Sequence, residues 1–347
     1  MNNPYSIGFG KIPSQYINRD LIIDEIVDNF CNEPSAEQAV KLTGIRGTGK
    51  TVTLTALEKR FSGEKKWIVV GLKSNSNLIE DLVANLYSAV PFITAFVDKE
   101  VNLSAFGIGV KMSDKSPVAS IDYALEKIME TVKKQGKKVL VTIDEARKTP
   151  AMIDFIQEFQ ILIRKDLPIN LIAAGLYEDI ESIENTDGLT FFLRTEKYEM
   201  KPLSLNIIKE EYKETLNISD RVAEEMAAVT KGYAFAFQAL GKYMWEAKSK
   251  TVTNKILAYF DQALSDKVYE KIWSELSKTD REYLTVLSDK DQISVNEFLE
   301  LTGKKHNEWS KSRKRLTNKG IIDTSDRGVI KMLLPRFGEF IKRNGNM

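Results

Sequence analysis

A single cysteine, Cys31, stands in a chain of 347 residues, so no disulfide can form within it. Thiol scarcity of this kind fits a reducing compartment. Histidine is equally scarce. His306 is the only one, which excludes a zinc site of the usual cysteine and histidine ligand count. A Ser-His-Asp triad would have to use His306, which lies in a lysine-rich stretch with no elbow-like serine beside it. The N-terminal MNNPYSIGFGK has no basic start leading into an apolar core, so it does not read as a signal peptide. Long hydrophobic runs are missing too. LYSAVPFITAFV at 86–97 is the longest, is too short to span a bilayer, and contains Pro91. A cytoplasmic protein with no membrane partner is expected. An excess of one charge is also lacking overall, since 50 Lys and Arg face 49 Asp and Glu. No repeat and no low-complexity segment interrupts the chain.

What is present reads as globular. With 43% hydrophobic and 29% charged residues, the chain can bury a real core, and its length suits two or three domains. AVKLTG (39–44) predicts a strand that runs into a glycine loop. KTVTLTALEKRF (50–61) then places Val52, Leu54, Ala56, Leu57 and Phe61 at helical spacing. WIVVGL (67–72), KKVLVTIDEA (137–146) and INLIAAGL (169–176) predict buried strands, and KYEMKPLS (197–204) closes a fifth. Helices are expected over 77–95 and 119–135, with a hairpin or edge strand at AFGIGVKM (105–112). Strands alternating with helices predict a parallel sheet covered on both faces. From 205 to 262 the pattern is helical.

The loop between the first strand and helix reads GIRGTGKT: Gly44, Ile45, Arg46, Gly47, Thr48, Gly49, Lys50 and Thr51. It fits G-x-x-x-x-G-K-[ST] in full. Glycines let the backbone wrap so that successive N–H groups face phosphate oxygens, and the following helix presents its N-terminus to the anion. Lys50 is expected to reach the β- and γ-phosphates, and the Thr51 hydroxyl to ligate magnesium. ATP or ADP with Mg2+ is therefore the expected ligand. VLVTIDEA ends the third strand in two carboxylates, 93 residues beyond Thr51. Asp144 is expected to hold the metal, and Glu145 to polarise the attacking water as general base. Helix capping would explain one acid here but does not require two.

The C-terminal segment changes character. TDREYLTVLSD (279–289) predicts a first helix with a capping aspartate. SVNEFLELTG (294–303) predicts a second, opened by Ser294 and closed by Gly303. HNEWSKSRKRLTNKG (306–320) predicts a third, and IIDTSDRGVIKMLLP a hairpin around SDRG. Three helices and a wing make a winged helix-turn-helix. Trp309, Ser312 and Leu316 fall on the inward face of the third helix; Lys311, Lys314 and Arg315 face outward, with Arg313 at the margin. From 303 onward twelve Lys and Arg meet only four Asp and Glu, leaving the preceding 302 residues net acidic. Segregation of this kind predicts a double-stranded DNA face built from Lys304, Lys305, Lys311, Arg313, Lys314, Arg315, Lys319 and Arg327. A solvated helix in a protein-interaction module is the other reading.

Phosphate loop, carboxylate pair and alternating strands together resemble the AAA+ ATPases, and the GIRGTGKT spelling, small hairpin and C-terminal module resemble the origin-recognition-complex-like and archaeal-type members. The resemblance implies an α/β P-loop NTPase core (1–204), a helical lid (205–262) and a winged helix-turn-helix domain (263–347). QYINRD (15–20) resembles the entry box of that class, which places Arg19 near the base of the nucleotide. Arg194 occupies the place where relatives carry an arginine that reaches a neighbour's nucleotide, implying self-association through the core; an ordinary ion pair on a sheet edge is the alternative. Two departures stand out. The fourth strand ends in Gly175 and Leu176 where relatives place a polar sensor, and KGYAFAFQAL (231–240) lacks the lid arginine. Both imply weak or conditional hydrolysis. Two functions are expected from this pattern: a nucleotide-dependent DNA-binding switch with ATPase activity, or a STAND-like signalling or defence scaffold that hydrolyses slowly and does not touch DNA. No substrate-threading loop suggests a processive motor.

Overall fold

Aliphatic and β-branched residues, interrupted only by Lys41, make up β1 (Ala39–Thr43), and every position of that strand is buried. The computed structural model describes residues 2–8, 13–32, 37–75, 77–89, 93, 120–290 and 292–344. It assembles β1 with β2 (Trp67–Lys73), β3 (Lys138–Asp144), β4 (Ile169–Gly175) and β5 (Glu196–Glu199) into a parallel sheet of order β2-β3-β4-β1-β5. β4 is buried at every residue and β3 at its five inner ones, as strands covered on both faces must be. β2 departs from the buried strand expected at 67–72. It lies at the end of the described order, and Gly71 and Lys73 are exposed because no described strand covers that side. The hairpin expected at 105–112 lies outside the described residues.

Two compact units make up the chain, one of Arg19–Thr43 and Lys50–Glu199, the other of Met1–Asn18, Gly44–Gly49 and Met200–Met347. The first carries the sheet. Its helices are α1 (Asp20–Cys31), α2 (Lys50–Ser62), α3 (Leu78–Ala89), α4 (Ile121–Lys134), α5 (Pro150–Arg164), α6 (Tyr177–Glu184) and α7 (Thr190–Arg194). α4 starts where the Ser120 hydroxyl accepts from the Tyr123 N–H, and α5 where Thr149 accepts from Met152 ahead of Pro150. Within this unit lies a buried ion pair, Lys41 with Glu184. The Lys41 ammonium, mid-strand in β1, donates to Glu184 at 2.7 Å and to the Phe192 carbonyl at 2.6 Å, while Lys197 reaches the other Glu184 oxygen at 2.9 Å. Burial lowers the Lys41 pKa, and the Glu184 hydrogen bond and charge oppose that shift.

The second unit is mostly helical: α8 (Leu205–Leu216), α9 (Asp220–Thr230), α10 (Ala234–Ala247) and α11 (Asn254–Leu264), then a π-helical turn over Ser265–Tyr269 and α12 (Glu270–Ser274). Next come α13 (Lys278–Leu287), β6 (Gln292–Ser294), α14 (Val295–Thr302), α15 (His306–Asn318), β7 (Ile322–Asp323), β8 (Val329–Met332) and α16 (Phe337–Asn344). β6, β8 and β7 form a small antiparallel sheet in that order. One continuous apolar core runs from Tyr212 and Phe237 through Tyr269 to Trp309 and Phe337. Asp261 of α11 binds Arg336 and Arg343 near the C-terminal end, and Tyr269 donates to the Pro335 carbonyl at 2.5 Å. Ser294 and Gly303 bound α14. Asp280 is not the cap of α13: the Ser277 hydroxyl takes that role, accepting from the Asp280 N–H at 3.1 Å.

Candidate nucleotide site

Parallel strands end on one edge, and the edge at the C-terminal ends of β1, β3 and β4 gathers the reactive groups of the sheet unit. Asp144 is the last residue of β3, and Lys50 and Thr51 open α2. The Thr51 hydroxyl donates to Asp144 Oδ2 at 2.7 Å, closing a 93-residue separation. The other carboxylate oxygen accepts from the Glu145 N–H at 2.8 Å, so the Asp144 side chain is fixed at both ends. One hydroxyl beside one carboxylate is a hard-oxygen donor pair that suits Mg2+, an ion that takes one or two protein ligands and completes its shell with phosphate and water. Among the described residues no cluster of three or more acidic, histidine or cysteine groups offers a different metal cage. Thr51 and Asp144 are the residues that would hold the ion.

Glu145 follows at φ +52°, a left-handed backbone that costs a non-glycine residue roughly 1–2 kcal/mol. Its carboxylate is exposed and lies 3.4 Å from the Arg147 guanidinium. The turn is braced from below: Ala146 N–H donates to the Ala174 carbonyl at 2.8 Å. Gly175 comes next in β4, and a Cβ there would lie 2.8 Å from the Ala146 carbonyl oxygen and 3.1 Å from Ile180. Glycine, rather than a polar sensor, is what this close approach permits.

The glycine loop itself, Gly44–Gly49, belongs to the helical unit. Gly47 and Gly49 both have positive φ, +78° and +94°. The loop's carbonyls have partners: Ile45 accepts from the Thr48 hydroxyl at 2.8 Å, Gly47 from the Phe235 N–H at 3.0 Å, and Arg46 from the Tyr233 hydroxyl. The Arg46 side chain reaches Glu275 at 3.0 Å. Burial pushes the Glu275 carboxyl up, but the hydrogen bond and charge of Arg46, with help from Lys271, bring it below its usual value.

Arg19 precedes α1, half-buried, and burial lowers its guanidinium pKa. Arg194 ends α7 and is exposed. On α15, Trp309, Ser312 and Leu316 are buried, and Lys311, Arg313 and Lys314 are exposed. Lys304, Lys305 and Arg327 are exposed as well; Lys319 is half-buried. Arg315 is exposed too, as expected, but its charge already has a partner. Its guanidinium grips both oxygens of buried Asp280, at 3.0 and 2.7 Å, and the Ser312 hydroxyl at 2.9 Å, because an unpaired carboxylate cannot be sealed under α15. Tyr233, Glu275 and Arg147 were not foreseen. Each acts through a contact that local spacing does not encode, apart from Arg147, two residues beyond the carboxylate pair.

Residues 266–341 match a family described as a domain of unknown function, DUF8462. No curated protein matches the sequence. The chain is similar in structure to the Walker-type ATPase PABY2304 of Pyrococcus abyssi, with a TM-score of 0.61, 15% identity, and 94% of this chain and 95% of that one covered. It is also similar to the ORC2 protein of Aeropyrum pernix. The ADPNP–ADP complexes give a TM-score of 0.55 at 14% identity over 97% of this chain and 96% of that one, and the ADP form gives 0.52 at 12% over the same shares. The chain shares the α/β fold of these structures over almost its whole length.

Proposed function

We propose that this chain binds and hydrolyses ATP with Mg2+ and uses the nucleotide to switch its hold on double-stranded DNA. One observation carries the first half: the Thr51 hydroxyl and the Asp144 carboxylate, 93 residues apart, meet at 2.7 Å directly after a complete phosphate-binding loop. Backbone amides of Gly44–Gly49, with Lys50, grip the phosphates. Magnesium, when bound, neutralises phosphate charge. Glu145 orients and deprotonates the attacking water. Arg19 lies by the base, and Arg194, exposed at the end of α7, reaches the nucleotide of a second copy. The ORC2 structure of the same fold was determined with ADPNP and ADP, which supports an adenine nucleotide.

The core (1–204), lid (205–262) and DNA module (263–347) divide this work. The order α13, β6, α14, α15, β7, β8 supports a winged helix, with α15 entering the major groove. Its phosphate contacts would come from Lys304, Lys305, Lys311, Arg313, Lys314, Arg315, Lys319 and Arg327, with Arg315 also held by Asp280.

ATPase activity of the wild type and of Glu145→Gln, with and without duplex, tests the catalytic half. Low basal turnover is expected, raised by duplex or self-association and lowered about 100-fold or more by the substitution. Unchanged turnover removes Glu145 from its role, and undiminished MgATP affinity in Lys50→Ala removes the nucleotide site.

A second reading is a slow-hydrolysing scaffold whose C-terminal module does not touch DNA. The glycine at the sensor position favours it, since the 2.8 Å approach of Ala146 leaves no room for a side chain that would place water. A salt-sensitive duplex shift in a gel separates the two, because a scaffold shows none.

A further inference from the structure

In the motif G-x-x-x-x-G-K-[ST] the third residue is unconstrained, yet here it is an arginine with a partner. Arg46 sends its side chain to Glu275, 3.0 Å away, and its carbonyl to the buried Tyr233 hydroxyl. Glu275 also takes Lys271 at 3.2 Å, within the 266–341 segment and just ahead of α13. Tyr233 and Phe235 flank the start of α10, and both engage the loop's carbonyls. In a trans peptide the N–H points opposite to the C=O. Drawing the Arg46 carbonyl onto Tyr233 therefore turns the Gly47 N–H the other way, whereas the Thr48 N–H stays within the loop on the Ile45 carbonyl at 3.4 Å. A Cβ at Gly47 would lie 2.2 Å from the tyrosine oxygen, so only glycine admits this contact. Loop shape is thus set from outside the loop.

We infer that Tyr233 and Glu275 are positioning residues for the phosphate loop, and that Arg46 carries the state of that loop to the module at 266–341. This rests on the nucleotide reading above. Tyr233 holds the Arg46–Gly47 peptide in one orientation and Glu275 holds the Arg46 side chain; phosphate on the Gly47 amide would draw on that same peptide. Coupling is reciprocal, so anything that displaces Glu275 alters nucleotide affinity by the same factor by which nucleotide alters that displacement.

Full-length wild type, Tyr233→Phe, Glu275→Gln and Glu275→Asp are compared by MgADP affinity, with a fluorescent ADP as probe, and by amide exchange over 270–287 with and without MgADP. Wild type is expected to bind and to slow exchange in that segment. Loss of one such hydrogen bond weakens binding about 3- to 10-fold in Tyr233→Phe. Glu275→Gln weakens it about 2- to 5-fold and loses the exchange response, and Glu275→Asp restores both. A folded Glu275→Gln with wild-type affinity and an intact exchange response overturns the inference. Tyr233→Phe keeps the ring packing, so wild-type affinity in that variant overturns it should Glu275→Gln not fold. No MgADP binding by the wild type overturns the nucleotide reading instead.

Discussion

Gly175 shows how one missing side chain can set a site. Across the turn, the Ala146 carbonyl oxygen lies only 2.8 Å from where a Cβ at 175 would be. Restoring a polar sensor by Gly175→Asn should therefore fail. We expect a loss of about 1–3 kcal/mol from overpacking and no gain in turnover, read from the urea midpoint and from kcat. A gain in turnover at unchanged stability would show that the Glu145–Arg147 turn yields easily. The sequence marks Gly175 only as a departure from a family pattern. That it is required follows from a backbone approach between segments 29 residues apart, which no local periodicity reports. The meeting of Thr51 and Asp144 was legible because phosphate and magnesium chemistry fixes the type and order of such residues. Tyr233 was not, because an aromatic ahead of a helix has many uses.

Helices and strands were the most legible features. β1, β3 and β4 lie where their apolar runs predict, since burial on both faces leaves little choice of residue. α14 begins at Ser294 and ends at Gly303, both written in cap chemistry. What joins elements was less visible. Asp280 of α13 read as a cap and Arg315 of α15 as a surface charge; Arg315 is exposed, yet it also binds the buried Asp280 and so ties the two helices together across 35 residues. Burial raises the Asp280 pKa, but hydrogen bonds from Arg315, Ser277 and Ser312 outweigh it and leave a net depression. Stability from this pairing is thus fully present above the ordinary value of 3.8 and is lost as pH falls below it through the folded-state value. Asp280→Asn should cost about 1–3 kcal/mol at neutral pH, with wild type and variant converging near the acid end. Urea midpoints measured across pH check this; parallel curves would show that the pair contributes nothing specific.

Charge divides the molecule more sharply than composition suggests. Twelve Lys and Arg against four acids lie beyond residue 302, in a chain whose formal net charge is only +1. If about five of the exposed cations of the C-terminal module meet phosphates, log affinity should fall against log salt with a slope of about −4.5. Duplex titrations at several salt concentrations measure that slope, and a value near zero favours the scaffold reading. Among the described residues no helix is long and apolar enough to cross a membrane. The parallel sheet was legible from strand alternation, whereas the grouping of Gly44–Gly49 with the helical unit was not, because it depends on contacts to Tyr233, Phe235 and Glu275 that are remote in sequence. The Arg46–Glu275 pair has a consequence for ancestry. A recombination event that exchanged the C-terminal module for one with a different residue at 275 would leave Arg46 facing a stranger, so positions 46 and 275 should change together wherever the two halves are inherited as a set, and drift apart wherever they have been shuffled.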